Sequence, residues 1–206
     1  MKALYLDTET TGFKPGQITQ LAIIEDDGVN IKGYNYFFTV KHMEPGAIEA
    51  CGRDENWYAK YSNGLEFKDL AAEIIRLFEN SGVVAHNLKF DENFLSAEFW
   101  RADIVFKPTY RVDTMEMFTP IMKLPNVKKK YAGEYKYPKL CELTEWLNID
   151  DNKILEFSQQ IFGNEDGTNS GFHDARFDTT AMYVACKVYG DRVNNTNTWI
   201  NRFCKL

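Results

Sequence analysis

Four carboxylates and one histidine, carried in three short and widely separated motifs, are the residues of this chain whose types could do chemistry together. Asp7 and Glu9 lie in Leu6-Asp7-Thr8-Glu9-Thr10-Thr11-Gly12, Asp91 in His86-Asn87-Leu88-Lys89-Phe90-Asp91, and His173 and Asp178 in His173-Asp174-Ala175-Arg176-Phe177-Asp178. Acids so far apart in sequence form a site only if the fold gathers them around hard cations. Oxygen donors of this kind suit Mg²⁺ or Mn²⁺ rather than zinc. A histidine beside them could take a proton from water, because imidazole ordinarily titrates near about pH 6.5. The combination implies metal-assisted hydrolysis of a phosphodiester.

Taken singly, each motif has a second reading. Alternate residues of a strand share a face, so Asp7 and Glu9 would point the same way, and two like charges there are costly to desolvate without a cation. A lone Asp-x-Glu pair could equally cap a turn. Asp91 could be an exposed acid in a first helical turn, favoured by the helix dipole. Its place just past a strand sets it instead where ligands gather in open α/β sheets, beside Asp7. His173 and Asp178, five residues apart, would splay on a continuous helix at roughly 100° per residue. They converge only if His173 stands in a loop or first turn and Asp178 lies deeper in the helix; otherwise His173 caps the helix and Asp178 is solvated. His86 is expected to pack under its motif loop, and His42 lies in a polar loop with no evident partner.

The elements that must position these groups follow from the apolar pattern. Ala3 to Leu6 reads as a buried strand ending at Asp7, followed by a turn at Thr11-Gly12 and Pro15-Gly16. Ile18 to Glu25 and Ile31 to Val40 read as strands joined by a hairpin at Asp26-Asp27-Gly28, giving a meander of three strands. Leu70, Ile74, Leu77 and Phe78 place a helix over 66–80, stopped by Ser81-Gly82. Val83 to Ala85 is a further strand running into Asn87, a candidate N-cap for a helix bearing Phe90, Phe94, Leu95 and Phe99. Tyr110 to Val112 is a weaker strand, followed by a short helix ending near Pro120. Leu140, Leu143, Trp146 and Leu147 fit one helical face, and Phe172 to Val188 forms a last long helix closed by Gly190. The order predicts an α/β fold, a mixed sheet with helices on both faces.

Length and composition are those of one well-buried domain spanning 1–206: 206 residues, 44% hydrophobic and 26% charged. No apolar run matches a membrane span, and Asp7 comes too soon for a signal peptide. Cys51, Cys141, Cys186 and Cys204 are widely spaced, which favours thiols in a reducing, cytoplasmic setting over disulfides or a zinc site. The net charge of −6 argues against a protein that coats nucleic acid. It leaves room for an enzyme that handles one strand end, because bound divalent ions reverse the local field.

Together the three motifs make the chain resemble the DEDDh group of 3′–5′ exonucleases, the superfamily of the proofreading epsilon subunit of bacterial DNA polymerase III. Asp-x-Glu-Thr-Thr-Gly, His-Asn-x-x-Phe-Asp and His-Asp-Ala-x-x-Asp occur in that order, and Asp113-Thr114 and Leu140-x-x-Leu143 look like secondary landmarks of the group. The resemblance implies a ribonuclease H-like fold with a mixed five-stranded sheet, three strands antiparallel and the others parallel. It implies two divalent cations, Mg²⁺ or Mn²⁺, with Asp7 shared, Glu9 and Asp178 completing the nucleophile-side ion and Asp91 supporting the second. His173 would deprotonate the attacking water, and nucleoside 5′-monophosphates would leave one at a time. Thr10 or Thr11 near the 3′-OH, Gly12 through its loop backbone, Phe13 against a base, and Asn87 are the expected substrate contacts.

Residues 148–171 read as an insertion just before His173, a helix plus a flexible loop. Lys128-Lys129-Lys130-Tyr131 with Tyr135-Lys136-Tyr137-Pro138-Lys139 could meet phosphates and stack on unpaired bases, or simply form a solvated basic loop. The expected partner is a nucleic-acid 3′ end, DNA before RNA, with no membrane; an exoribonuclease is the near alternative. A haloacid dehalogenase-type phosphatase fits less well, since Glu9 stands where its second aspartate would be. A non-catalytic module of the same fold is disfavoured by the presence of all five site residues.

Overall fold

The computed structural model describes residues 2–14, 16–127, 134–164, 167–169, 171 and 173–205. Five strands form one sheet in the order β3-β2-β1-β4-β5. β1 (Lys2–Thr10), β2 (Ile18–Asp26) and β3 (Ile31–Phe37) are antiparallel neighbours, while β4 (Ser81–Ala85) and β5 (Tyr110–Asp113) run parallel to β1. This is the mixed α/β sheet expected.

The central strand explains the layering. On β1, Leu4, Leu6 and Thr8 are buried on one face, and Tyr5, Asp7 and Glu9 alternate onto the other. Between β3 and β4 lie α1 (Pro45–Cys51), α2 (Glu55–Tyr61) and α3 (Phe67–Leu77), and β4 is followed by α4 (Leu88–Arg101). Phe67, Ala71 and Ile74 of α3 and Phe94, Leu95 and Phe99 of α4 pack with Leu4 and Leu6 into one core. After β5 come α5 (Thr114–Met122), α6 (Leu140–Trp146), α7 (Asp151–Phe162), α8 (Ala175–Asn194) and α9 (Thr198–Phe203). These elements build the second core on the opposite face, around Ile24, Leu143, Ile154, Phe157, Val184 and Val188. There Tyr5 meets Tyr183 edge-on at 4.9 Å.

Several boundaries differ from the sequence reading. β1 runs on to Thr10, so Asp7 and Glu9 stand within a strand rather than at its end. Ser81 and Gly82 open β4 instead of stopping α3, which closes at Leu77. α5 passes through Pro120 to Met122. A proline there removes one helical hydrogen bond, and burial of Phe118 and Met122 offsets it. α8 begins at Ala175 and continues past Gly190 to Asn194, ending at Asn195 in the left-handed conformation. Asp191 explains the extension: its carboxylate accepts from Thr196 Oγ1 and from the N–H groups of Trp199 and Ile200, tying α8 to α9. The helices α1, α2 and α9 had no clear signature; they span six or seven residues each.

The segment 148–171 holds α7, which packs its Ile154 and Phe157 into the second core. Lys128 to Tyr131 lie outside the described residues. Among the described residues no helix is long and apolar enough to cross a membrane, and the four cysteines are free thiols.

Gly33 on β3 lies against α7: a Cβ added there would stand 2.5 Å from Ile161 Cγ2 and 2.9 Å from the Ile161 carbonyl oxygen. Gly33→Ala is therefore expected to cost about 1–3 kcal/mol, the range for forcing atoms into a packed region. Urea unfolding checks it; an unchanged midpoint would show that α7 does not rest on β3.

Candidate active site

Three elements bring the acids together. β1 supplies Asp7 and Glu9 on the face turned to α8, and α8 supplies Asp178 from its first turn. One ligand atom each of Glu9, His173 and Asp178 lie within 4.8 Å of one another. Asp91 arrives from the opposite layer on α4. The parallel pairing of β1 with β4 ends at Tyr5↔Val84, which leaves Thr8 beyond the ladder. Asp91 Oδ1 fills the gap, accepting from Thr8 N–H at 3.1 Å and Thr8 Oγ1 at 2.7 Å.

His173 reaches the cluster through backbone geometry. It stands two residues before α8 with φ of 62°, and its N–H donates to Asp178 Oδ2 at 3.2 Å. The five-residue spacing is thus bridged by one left-handed residue outside the helix, a conformation that histidine, with asparagine and aspartate, adopts more often than other side chains.

Burial of so many acids shows in their proton affinities. Desolvation raises the Asp7 carboxyl well above the usual range, and Asp91, Asp178 and Glu9 push it further. Asp178 is raised well above the range by burial and then by Glu9, against the His173 N–H. Burial lifts Glu9 to about 7, with Asp174 adding and Arg53 opposing. Asp91 reaches about 7 by burial, although the Thr8 hydrogen bonds pull it down. Groups that hold protons this strongly when folded are a site short of positive charge.

Beneath the cluster lies a buried polar network that the motifs did not announce. Asp174 accepts from Arg53 Nη2 at 2.7 Å, Arg176 Nε at 2.8 Å, Arg176 Nη2 at 2.6 Å and Gln20 Nε2 at 3.0 Å. It also caps α8 through Arg176 N–H. Arg53 Nη2 donates to the Thr168 carbonyl, and Arg176 Nη2 to Thr168 Oγ1, both at 2.9 Å. Burial alone would raise Asp174, but the two guanidiniums outweigh it and hold the carboxyl below its usual range. The network fixes the approach to His173 from the α1–α2 connection, from β2 and from the segment after α7. Arg53 carries no sequence signal, since it sits among polar residues in Gly52-Arg53-Asp54.

Two cavities share His173. One, of about 260 Å³, is lined by Glu9, Thr10, Gly12, Phe13, Ala47 and Phe90 among others. The other, of about 460 Å³, is lined by Asp7, His86, Lys139, Leu140, Cys141 and Asp178. Phe13 is 88% exposed. Thr10 Oγ1 donates to the Gly12 carbonyl, and the Glu44 carboxylate lies against Gly12, where a Cβ would have to displace it. Thr11 lines neither cavity; it is buried, its hydroxyl accepting from Gln17 N–H at 3.0 Å. Asn87 occupies the N-cap position of α4 in a left-handed conformation with no side-chain cap. It is exposed and lines neither cavity, and its N–H is held by Asp113 Oδ1 at 3.1 Å. His86 is fixed between Thr114 Oγ1 and the Pro138 carbonyl, each at 3.0 Å, and burial lowers its proton affinity. His42 has a partner after all, Glu55 Oε1 at 3.3 Å.

The five-stranded sheet, with Asp7 and Glu9 on its central strand, has the ribonuclease H-like architecture of exonucleases. The chain belongs to the RNase T exonuclease family, whose model matches residues 4–149. That match contains Asp7, Glu9 and Asp91 and ends before His173. Among curated relatives, the 3′–5′ exonuclease DinG of Staphylococcus haemolyticus is 40% identical over 116 residues, 55% of this chain and 13% of that protein. The DNA polymerase III subunit epsilon of Pasteurella multocida is 24% identical over 162 residues, 74% of this chain and 60% of that protein. The chain thus spans a minor part of its DinG relatives. In fold it matches E. coli Exonuclease I in complex with a dA16 oligonucleotide, at a TM-score of 0.67 and 19% identity, covering 94% of this chain and 41% of that one.

The acids bind protons more tightly in the fold than in the unfolded chain, where Asp and Glu ordinarily titrate near 3.8 and 4.5. Their contribution therefore favours folding at low pH and is lost as pH rises from about 4 to about 7. Without divalent ions, Asp7→Asn should melt higher than wild type at pH 8, with the gap narrowing toward about pH 4 as the unfolded carboxyl also takes up its proton. Each kcal/mol regained is worth about 2–4 °C in a domain of this size. Equal melting at both pH values would show that the acids do not repel one another.

Proposed function

We propose that this protein is a divalent-metal-dependent 3′–5′ exonuclease that removes nucleoside 5′-monophosphates one at a time from the 3′ end of DNA. The observation that carries the reading is the convergence of Glu9, His173 and Asp178 within 4.8 Å, with Asp7 half-buried and Asp91 buried alongside. The donor set fits Mg²⁺ or Mn²⁺, since oxygen ligands predominate and the acids lack countercharge. Asp7, Glu9, Asp91 and Asp178 would hold two ions, with Asp7 shared. When bound, such ions neutralise the acids, polarise the phosphoryl group and stabilise charge on the departing oxygen.

The chain's own residues do the rest. Imidazole of His173, exposed and reachable from both cavities, takes the proton of the attacking water. Phe13 and Phe90 offer ring faces to the terminal base, and Thr10 with the Gly12 loop holds the sugar. Thr11 and Asn87 are assigned supporting parts through the loop backbone and the entry to α4. The DNA preference is supported by the names of the epsilon relative and of the oligonucleotide-bound fold neighbour. RNA is the alternative, because no residue is assigned to a 2′-OH.

A time course on 3′- and 5′-labelled single-stranded DNA, duplex DNA, mismatched ends and RNA, with and without Mg²⁺ or Mn²⁺, tests the reading. Loss of 3′ label first, only with metal and fastest on DNA ends, is expected. Metal-independent cleavage or internal cuts would overturn it. Asp7→Ala and Asp178→Ala are expected to abolish turnover while the circular dichroism spectrum is retained; full turnover at saturating Mg²⁺ would refute their assignment. His173→Ala should lose about 10²–10⁴-fold in rate, the usual worth of a general base. An unchanged rate would remove His173 from that role.

A further inference from the structure

We propose that Lys139 binds a backbone phosphate of the strand on the 5′ side of the scissile bond, an inference that rests on the exonuclease reading. The larger cavity joins Asp7, His173 and Asp178 to Lys139, Leu140 and Cys141. Among the described residues that line either cavity, Lys139 is the only lysine or arginine. A strand carrying one charge per nucleotide must pass an acid-rich cleft, and fixed positive charge beside the cleft is what draws it in.

Its surroundings leave Lys139 available for this. Three residues earlier, Lys136 is taken up by the Glu142 carboxylate. The Lys139 side chain is exposed, and its charge helps hold the Glu142 carboxyl below the usual range without an ion pair within 4.0 Å among the described residues. The backbone beneath it is fixed, because Lys139 N–H donates to Glu142 Oε2 at 2.8 Å and the next turn of α6 buries Leu143. Position along the strand follows from the two cavities. With the terminal nucleoside beside Phe13 and the scissile phosphate at His173, the cavity containing Lys139 receives the nucleotides upstream.

Binding of a short 5′-labelled oligothymidylate, measured by fluorescence anisotropy with Ca²⁺ in place of Mg²⁺, tests the contact without relying on turnover. Lys139→Gln should weaken binding about 3- to 10-fold at low salt and reduce the slope of log K against log[salt] by about one, the signature of one lost phosphate contact. Lys139→Arg should restore both. In steady state, Lys139→Gln should raise KM and leave kcat within about twofold. Hydrolysis of the p-nitrophenyl ester of thymidine 5′-monophosphate, which has no upstream phosphate, should not change. An unaltered salt slope, or equal damage to the small ester, overturns the proposal. An inactive wild type that still binds with a Lys139-dependent slope would instead overturn the nuclease reading alone.

Discussion

Like-charge repulsion on the buried face of β1 is the constraint around which the rest of the structure is arranged. Strand alternation gives Leu4 and Leu6 to one core and forces Asp7 and Glu9 toward the other, where α8 adds Asp178. An ion taken out of water costs several kcal/mol even after relaxation, and a hydrogen bond to a charged group returns about 1.5–3. Asp91 is shielded by two such bonds from Thr8, yet its proton affinity still rises to about 7. Hydrogen bonding therefore loses to desolvation at this site. Only protons or cations can balance it.

The buried arginines show the same logic one layer down. Asp174, one residue past His173, adds to the repulsion on Glu9 and Asp178 even while paired with Arg53 and Arg176, and Arg53 opposes it at Glu9. Rigidity is the second consequence. Thr168, Gln20 and the first turn of α8 are all bonded into the same network, so the left-handed backbone at His173 is held from three sides. A side chain that must meet both a carboxylate and a water needs that anchoring, since a loop bonded only to itself would spread over many positions.

Much of the site was legible because its chemistry depends on residue type and short-range spacing. Asp7 and Glu9 share a face by strand period alone, and the need for a non-helical His173 followed from the spacing to Asp178. Residues that act through long-range packing left no such trace. Arg53 looks like any surface arginine until the fold closes over it, and Thr11 looks like a ligand contact until its hydroxyl is seen holding Gln17. Boundaries failed for a related reason. Gly190 and Pro120 are local stop signals, but Val188, Asp191 and Met122 gain enough by packing or capping to carry both helices past them. The sheet was readable because a strand declares itself within a few residues, β4 and β5 within five and four, whereas the six or seven residues of α1, α2 and α9 complete less than two helical turns.

Where a sequence breaks the rules of a stable core, the breach localises function. The two large apolar cores obey those rules, with aliphatic and aromatic side chains enclosed on each face of the sheet. The exceptions gather where β1 emerges between them, in four acids that oppose folding at neutral pH. A purely structural role would be served better by Asn or Gln, which keep the shape and the hydrogen bonds without the charge. The carboxylates make physical sense only if something cationic is bound there during work. A cation bound there would make binding and domain stability one linked equilibrium, because neutralising the acids would also relieve the strain that the site imposes on the fold.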